Sequence, residues 1–264
     1  IGVSDLTSQI SKNNNPNGAL NIGGDGELNN FYEGQMVGEI WGYETVGIFQ
    51  SNDDVANAPD QTDLGANWLQ GDIQYADLNG DGVVSPGSNT LEDSGDRRVI
   101  GNTTPRGSFN FTAGVSYKNF RLSAFFQGIL QRDIWPSSGN WTWFFPFNAG
   151  HVENYFLEDS WSEDNRDAYF PAPHISTGDG KNKRVQSRYI QNAGYVRLKN
   201  ITLSYSLPEE LTSRAGMSSA RLFFTGANLW EYSPIRAPLD PETAYGAIQY
   251  PIQRIFTLGA SVSF

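Results

Sequence analysis

Every second residue at the end of the chain is apolar: Phe256, Leu258, Ala260, Val262 and Phe264 alternate with Thr257, Gly259, Ser261 and Ser263. A strand has a side-chain period of two, so this segment carries one apolar face and one small polar face. The pattern recurs at 109–117, where Phe109, Phe111, Ala113, Val115 and Tyr117 oppose Asn110, Thr112, Gly114 and Ser116. Lys118-Asn119 then offers a two-residue turn, since Asn tolerates positive φ. Phe120, Leu122, Ala124 and Phe126 open the next strand against Arg121, Ser123 and Gln127. Further on, Ile201, Leu203, Tyr205 and Leu207 alternate with Thr202, Ser204 and Ser206 until Pro208, and another strand covers about Ala220 to Trp230. The fold class is all-β and antiparallel.

The connections narrow the architecture. Residues 50–108, 133–193 and 231–251 form long polar segments, whereas 118–119 and 208–219 are short. A segment as long as 50–108 is out of scale for a compact domain. It is ordinary in a transmembrane β-barrel, which has short periplasmic turns and long extracellular loops. On that reading the apolar face meets lipid and the polar face lines the lumen. The competing architecture is a secreted, calcium-stabilised β-sandwich that binds carbohydrate; its strands would also alternate, but its connections have no reason to. No fixed-period repeat points to a propeller or solenoid, and no run of about 18 apolar residues offers a transmembrane helix. Residues 1–36 read as the end of a strand followed by a loop, and Gly38 to Phe49 turns strand-like and aromatic. The chain opens Ile1-Gly2-Val3-Ser4, with no signal-peptide pattern, and is expected to be a piece of a longer protein.

The formal charge of −11 argues against a nucleic-acid partner. With no cysteine, disulfides and thiolate chemistry are excluded. His151 and His174 share a loop but lack HExxH spacing, and there is no phosphate loop, dinucleotide fingerprint or GxSxG. Neither enzyme activity nor an organic cofactor is expected.

Two constellations could bind ligands. Asp77-x-Asn79-x-Asp81-Gly82 matches the start of an EF-hand-like calcium loop, in which alternate oxygen ligands converge on one cation. The Val83 carbonyl would follow. Ser88 stands where the bidentate Glu belongs, so Glu92, Asp93 or Asp96 would have to close the site. The same residues would equally form a tight Asx-rich turn without metal. Trp135, Trp141 and Trp143, with Phe144, Phe145 and Phe147, make a dense aromatic group that could stack on a ligand, pack among loops or sit at a membrane interface. Trp161 and Tyr169-Phe170-Pro171 read as loop anchors.

Four segments resemble the SusC/RagA family of TonB-linked outer-membrane proteins, in the family's order over residues 37–264. They are Val37-Gly38-Glu39-Ile40-Trp41-Gly42-Tyr43 with Gly47-Ile48-Phe49-Gln50; Gly71-Asp72-Ile73 through Asp77-Leu78-Asn79-Gly80-Asp81-Gly82 to Asp96-Arg97-Arg98-Val99-Ile100-Gly101-Asn102; Tyr117-Lys118-Asn119-Phe120-Arg121-Leu122 with Phe125-Phe126-Gln127-Gly128; and Tyr195-Val196-Arg197-Leu198-Lys199-Asn200-Ile201-Thr202-Leu203 with Ser206-Leu207-Pro208, Gly226-Ala227-Asn228-Leu229, Leu239-Asp240-Pro241-Glu242 and Phe264. The terminal Phe264 resembles the assembly signal of outer-membrane barrels. The resemblance implies a barrel of roughly 22 strands, of which this chain would supply the C-terminal ones. It also implies TonB-dependent import of oligosaccharides or peptides across the outer membrane of a Gram-negative, Bacteroidetes-type bacterium. Implied partners are a SusD-like surface lipoprotein, outer-membrane lipid, the N-terminal barrel and plug portion of the same transporter, and TonB through that portion; plug and TonB-contacting segment are absent from this chain. The stretch Val83 to Gly95 departs from the family's short acidic segment.

Overall fold

The structure is a computed structural model that describes residues 2–5, 15, 17–23, 26–136, 154–173, 180–236, 239–243 and 252–264. Its strands in chain order are β1 Gly2–Asp5, β2 Glu39–Tyr43, β3 Thr45–Ile48, β4 Ile73–Tyr75, β5 Arg97–Asn102, β6 Gly107–Tyr117, β7 Phe120–Gln131, β8 Asp133–Ile134, β9 Gln191–Asn192, β10 Tyr195–Ser206, β11 Ser219–Tyr232 and β12 Ile255–Ser263. None of the described helices is long and apolar enough to cross a membrane.

Six strands make one antiparallel sheet in the order β1-β6-β7-β10-β11-β12, with β1 and β12 at its edges. The register carries the alternation seen in each strand across the whole sheet. Val115 faces Leu122, Leu122 faces Leu203, Leu203 faces Phe224, and Phe224 faces Leu258. The result is a continuous apolar face with nothing described on top of it: Val115 is 61% exposed, Phe256 62% and Leu258 81%. On the opposite face Ser123 meets Thr202, Thr202 meets Thr225, and Thr225 meets Thr257, with a 3.0 Å contact between the Thr202 and Thr225 hydroxyls. Two glycines let rings lie flat along the sheet. The Phe109 ring fills the space a side chain at Gly128 would need, and Phe223 does the same at Gly259.

The connections sort by end. The β6–β7 turn at Lys118-Asn119 and the segment from Leu207 to Ser218 lie at one end of the sheet. Positive φ falls on Lys118, not on Asn119 as the residue preferences suggest. Pairing of Tyr117 with Phe120 leaves two turn positions, and strand twist demands left-handed backbone at the first. The second short connection contains a helical turn, Glu209–Arg214.

The long connections leave from the other end and fold on one another. β2 pairs with β5 and β3 with β4 within the stretch before β6, while β8 pairs with β9 at the base of the β7–β10 connection. Ile48, Leu64, Ile73 and Tyr75 from the first connection share one core with Trp135, Phe156, Trp161, Phe170 and Tyr189 from the second. The described residues of 39–106 and 133–193 therefore share a common loop domain at this end of the sheet. Trp161 and Phe170 anchor it as expected, buried in that core.

Candidate functional site

A buried ion pair joins the two long connections. Asp72 is fully buried and receives hydrogen bonds from Lys181 Nζ at 2.6 Å, Asn182 Nδ2 at 2.7 Å and the Leu69 amide at 2.8 Å. Lys181 also donates to the Asn67 carbonyl and lies 5.4 Å from the Trp68 ring centroid. These partners satisfy both charges in a place that water does not reach.

The Asp-rich loop turns as its motif requires, with Gly80 and Gly82 at φ 77° and 86°. Asp77 accepts from the Gly80 and Gly82 amides, Asn79 from the Asp81 amide, and Asp81 from the Val83 amide. The Asn79 amide nitrogen also donates to Asp81 at 2.9 Å. Of the three acids considered for closing a cation site, Asp93 and Asp96 hold other parts of the loop. Asp96 is fully buried and accepts from the Leu78 and Ser85 amides, each at 2.7 Å, stapling the loop from beneath. Asp93 accepts from the Ser88 hydroxyl and amide, which lower its pKa. Among the described residues no group of three or more His, Cys, Asp or Glu is gathered at metal-binding distance; Asn79 and the Val83 carbonyl lie outside that set.

Of the aromatic ligand candidates, Trp135 is buried in the loop-domain core. Trp141 and Trp143, like His151 and His174, lie outside the described residues. Phe264 follows β12 and is 90% exposed.

A cleft of about 520 Å³ opens where the loop domain meets the tops of β6 and β7, lined by Met36, Val99, Asn102, Arg106, Gln131 and Asp133. Burial raises the Asp133 pKa, against the opposing effects of the Asn102 amide and the Arg106 charge.

Sequence reasoning missed the densest charge cluster. Arg197 on β10 stands opposite Gln127 and Glu231, and so belongs to the polar face. It is 2% exposed and pairs with Glu231, with Asp240 at 2.7 Å and with Glu242. Glu242 also accepts from Lys199 Nζ at 3.0 Å and Tyr195 Oη at 2.8 Å. A bulge at Lys199, opposite Asn228 at φ 55°, keeps Arg197, Lys199 and Asn200 on the same side. Burial pushes the Glu242 carboxyl up, but the Lys199 and Tyr195 hydrogen bonds and the Arg197 charge leave it net below the usual range. A lowered carboxylate pKa contributes stability above the ordinary glutamate pKa and loses it as pH falls through the depressed value. Arg197, Lys199, Asp240 and Glu242 all stand in the quoted family segments; the signal was there, but not the pairing.

Comparison with known proteins bears on all of these features. No protein-family model matches the chain. The chain is 30% identical over 247 residues to TonB-dependent receptor P3 of Formosa agariphila, covering 88% of this chain and 22% of that protein. It is 26% identical over 193 residues to TonB-dependent receptor SusC of Bacteroides thetaiotaomicron, covering 72% of this chain and 17% of that protein. The chain thus spans under a quarter of the length of these relatives. Among solved structures, that of the RagAB peptide transporter matches with a TM-score of 0.61 and 22% identity, over 88% of this chain and 23% of that one. RagAB in its closed-closed state matches with a TM-score of 0.61 and 23% identity, over 88% of this chain and 24% of that one. Segment order, open antiparallel sheet and matched relatives agree, and the chain belongs to the SusC/RagA family of TonB-dependent receptors.

Proposed function

We propose that the six-stranded sheet is a stretch of the wall of an outer-membrane barrel of roughly 22 strands, and that the assembled protein imports nutrients by TonB-dependent transport. The uncovered apolar face carries this reading. A soluble domain does not leave so many large side chains in water, whereas a barrel wall needs them toward lipid. The secreted sandwich is disfavoured because it requires a second sheet on this face, and none is described there. The long connections then lie outside the cell, where a SusD-like lipoprotein would dock, and plug and TonB contacts would come from the rest of the protein. The substrate would be an oligosaccharide or a peptide. A solved relative described as a peptide transporter supports the peptide side of that choice.

Spin labels in the full-length protein in bilayers test the wall. Labels at Phe109, Phe111, Val115, Leu258 and Val262 should collide with lipid-soluble oxygen. Labels at Asn110, Thr112, Thr257 and Ser261 should collide with a water-soluble relaxant. Equal water exposure of both sets would refute the barrel.

We further propose that the loop holds calcium through Asp77, Asn79, Asp81 and the Val83 carbonyl; bound there, the ion would supply charge neutralisation and rigidity. Asp93 and Asp96 then act by shaping the loop. Chelation should speed proteolysis within 77–83 while leaving the barrel folded, and Asp77→Ala should abolish the calcium effect. Cleavage that ignores calcium would remove the site.

A further inference from the structure

We propose that Leu239–Thr243 is a strap latched across the lumen side of the wall, and that Arg197 is the positioning residue that holds it there as a constriction of the barrel mouth. The inference rests on the reading that the polar face lines the lumen.

The strap is fastened at both ends. Just before it, Arg236 pairs with Asp159 of the loop domain and lies 4.1 Å from the Tyr169 ring centroid. Leu239 packs with Ile134 and Ala193 at the foot of that domain. Farther along, Arg132 donates to the Pro241 carbonyl, and Asp240 and Glu242 reach Arg197. The strap therefore runs from the loop domain onto the polar face of β10. Lipid-facing residues are not among these partners: Tyr195, Arg197 and Lys199 all lie on the polar side, the side of Gln127 and Glu231.

Charge makes the latch specific. Glu231, Asp240 and Glu242 bring three carboxylates to one place, against Arg197 and Lys199. Without the guanidinium, Lys199 alone would stand against three carboxylates, and Asp240 would face Glu231 with no cation between them. A guanidinium serves several carboxylates through five donors held in a rigid planar fork, whereas an ammonium offers three on one compact charge. Arg197 stands near the long-connection end of β10, nine residues before Ser206. At about 3.3 Å per residue, the latch sits near the mouth and far from the short-turn rim.

The experiment uses the full-length transporter in intact cells, with a cysteine at Thr243 and no other exposed cysteine. A small maleimide and a bulky polyethylene-glycol maleimide are applied from outside. With the latch intact, the small reagent should react and the bulky one should not. In Asp240→Asn/Glu242→Gln, which leaves Arg197 in place, bulky labelling should rise about tenfold or more as the released strap swings out. Arg197→Lys should behave the same way. Heat-modifiable migration of each variant verifies a folded barrel. Bulky labelling equal in all three proteins would overturn the latch. Water-exposed spin labels at Leu258 and Val262 would instead overturn the wall reading, so the two failures are distinguishable.

Discussion

Asp72→Ala is expected to loosen the loop domain by about 3–5 kcal/mol, the usual cost of breaking a buried ion pair by removing one partner. The substitution takes its buried carboxylate partner from the Lys181 ammonium, which is 5% exposed, and removes the acceptor for the Leu69 amide and the Asn182 side chain. Both long connections lose one of the buried contacts that join them, so amide exchange should rise across 61–75 and 180–190 together. Exchange in β7, β10 and β11 should stay slow, because those ladders do not depend on Asp72. The double variant Asp72→Leu/Lys181→Met should recover much of the loss, since it removes both desolvated charges. A single variant that lost no more than an exposed pair does, roughly 1 kcal/mol or less, would show that the pair does not join the loops.

The second large effect concerns one position and its neighbour. Leu258→Arg places a guanidinium on the apolar face near the middle of β12 and should cost about 2–4 kcal/mol in a bilayer. Thr257→Arg, one residue away, turns the same group toward the polar face, beside Thr225, and should be close to neutral. The yield of heat-modifiable protein in the outer membrane reads the difference directly. Equal tolerance of both substitutions would mean that the two faces do not meet different solvents.

Strand parity was legible because it is local. Residues 109–117 and 256–264 display both faces within nine positions, and the sheet register only propagates them. Pairings set by the tertiary fold were not. Arg197 and Asp240 are 43 residues apart, and Lys181 and Asp72 are 109 apart; no periodicity connects them. Residue type alone also left roles open. Trp135 looks the same in a row of letters whether it is exposed or shares a core with Phe156, and only the fold shows its burial. Asp96 fits a cation loop by spacing, and nothing in that spacing shows that it is buried beneath the loop with both oxygens on backbone amides. The Lys118 turn shows a further limit, because strand twist overrode the better left-handed propensity of Asn119.

The sorting of connections by end also dictates an order of events in folding. β6 and β7 are joined by two residues and β10 and β11 by a short helical turn, so each hairpin closes a small loop and can form within microseconds. Pairing β7 with β10 is different, because it must gather the whole stretch between Gln131 and Tyr195. Chain entropy opposes that closure, although only logarithmically in length. The short β8–β9 ladder, Asp133 with Asn192 and Ile134 with Gln191, ties the two ends of that stretch together beside the strands they feed. Once it is tied, β7 and β10 are held in register from one end, and the remaining ladder closes as a zipper instead of as an encounter between distant segments. On the proposed barrel reading, nucleation in the loop domain and propagation along the wall would then be a single continuous process.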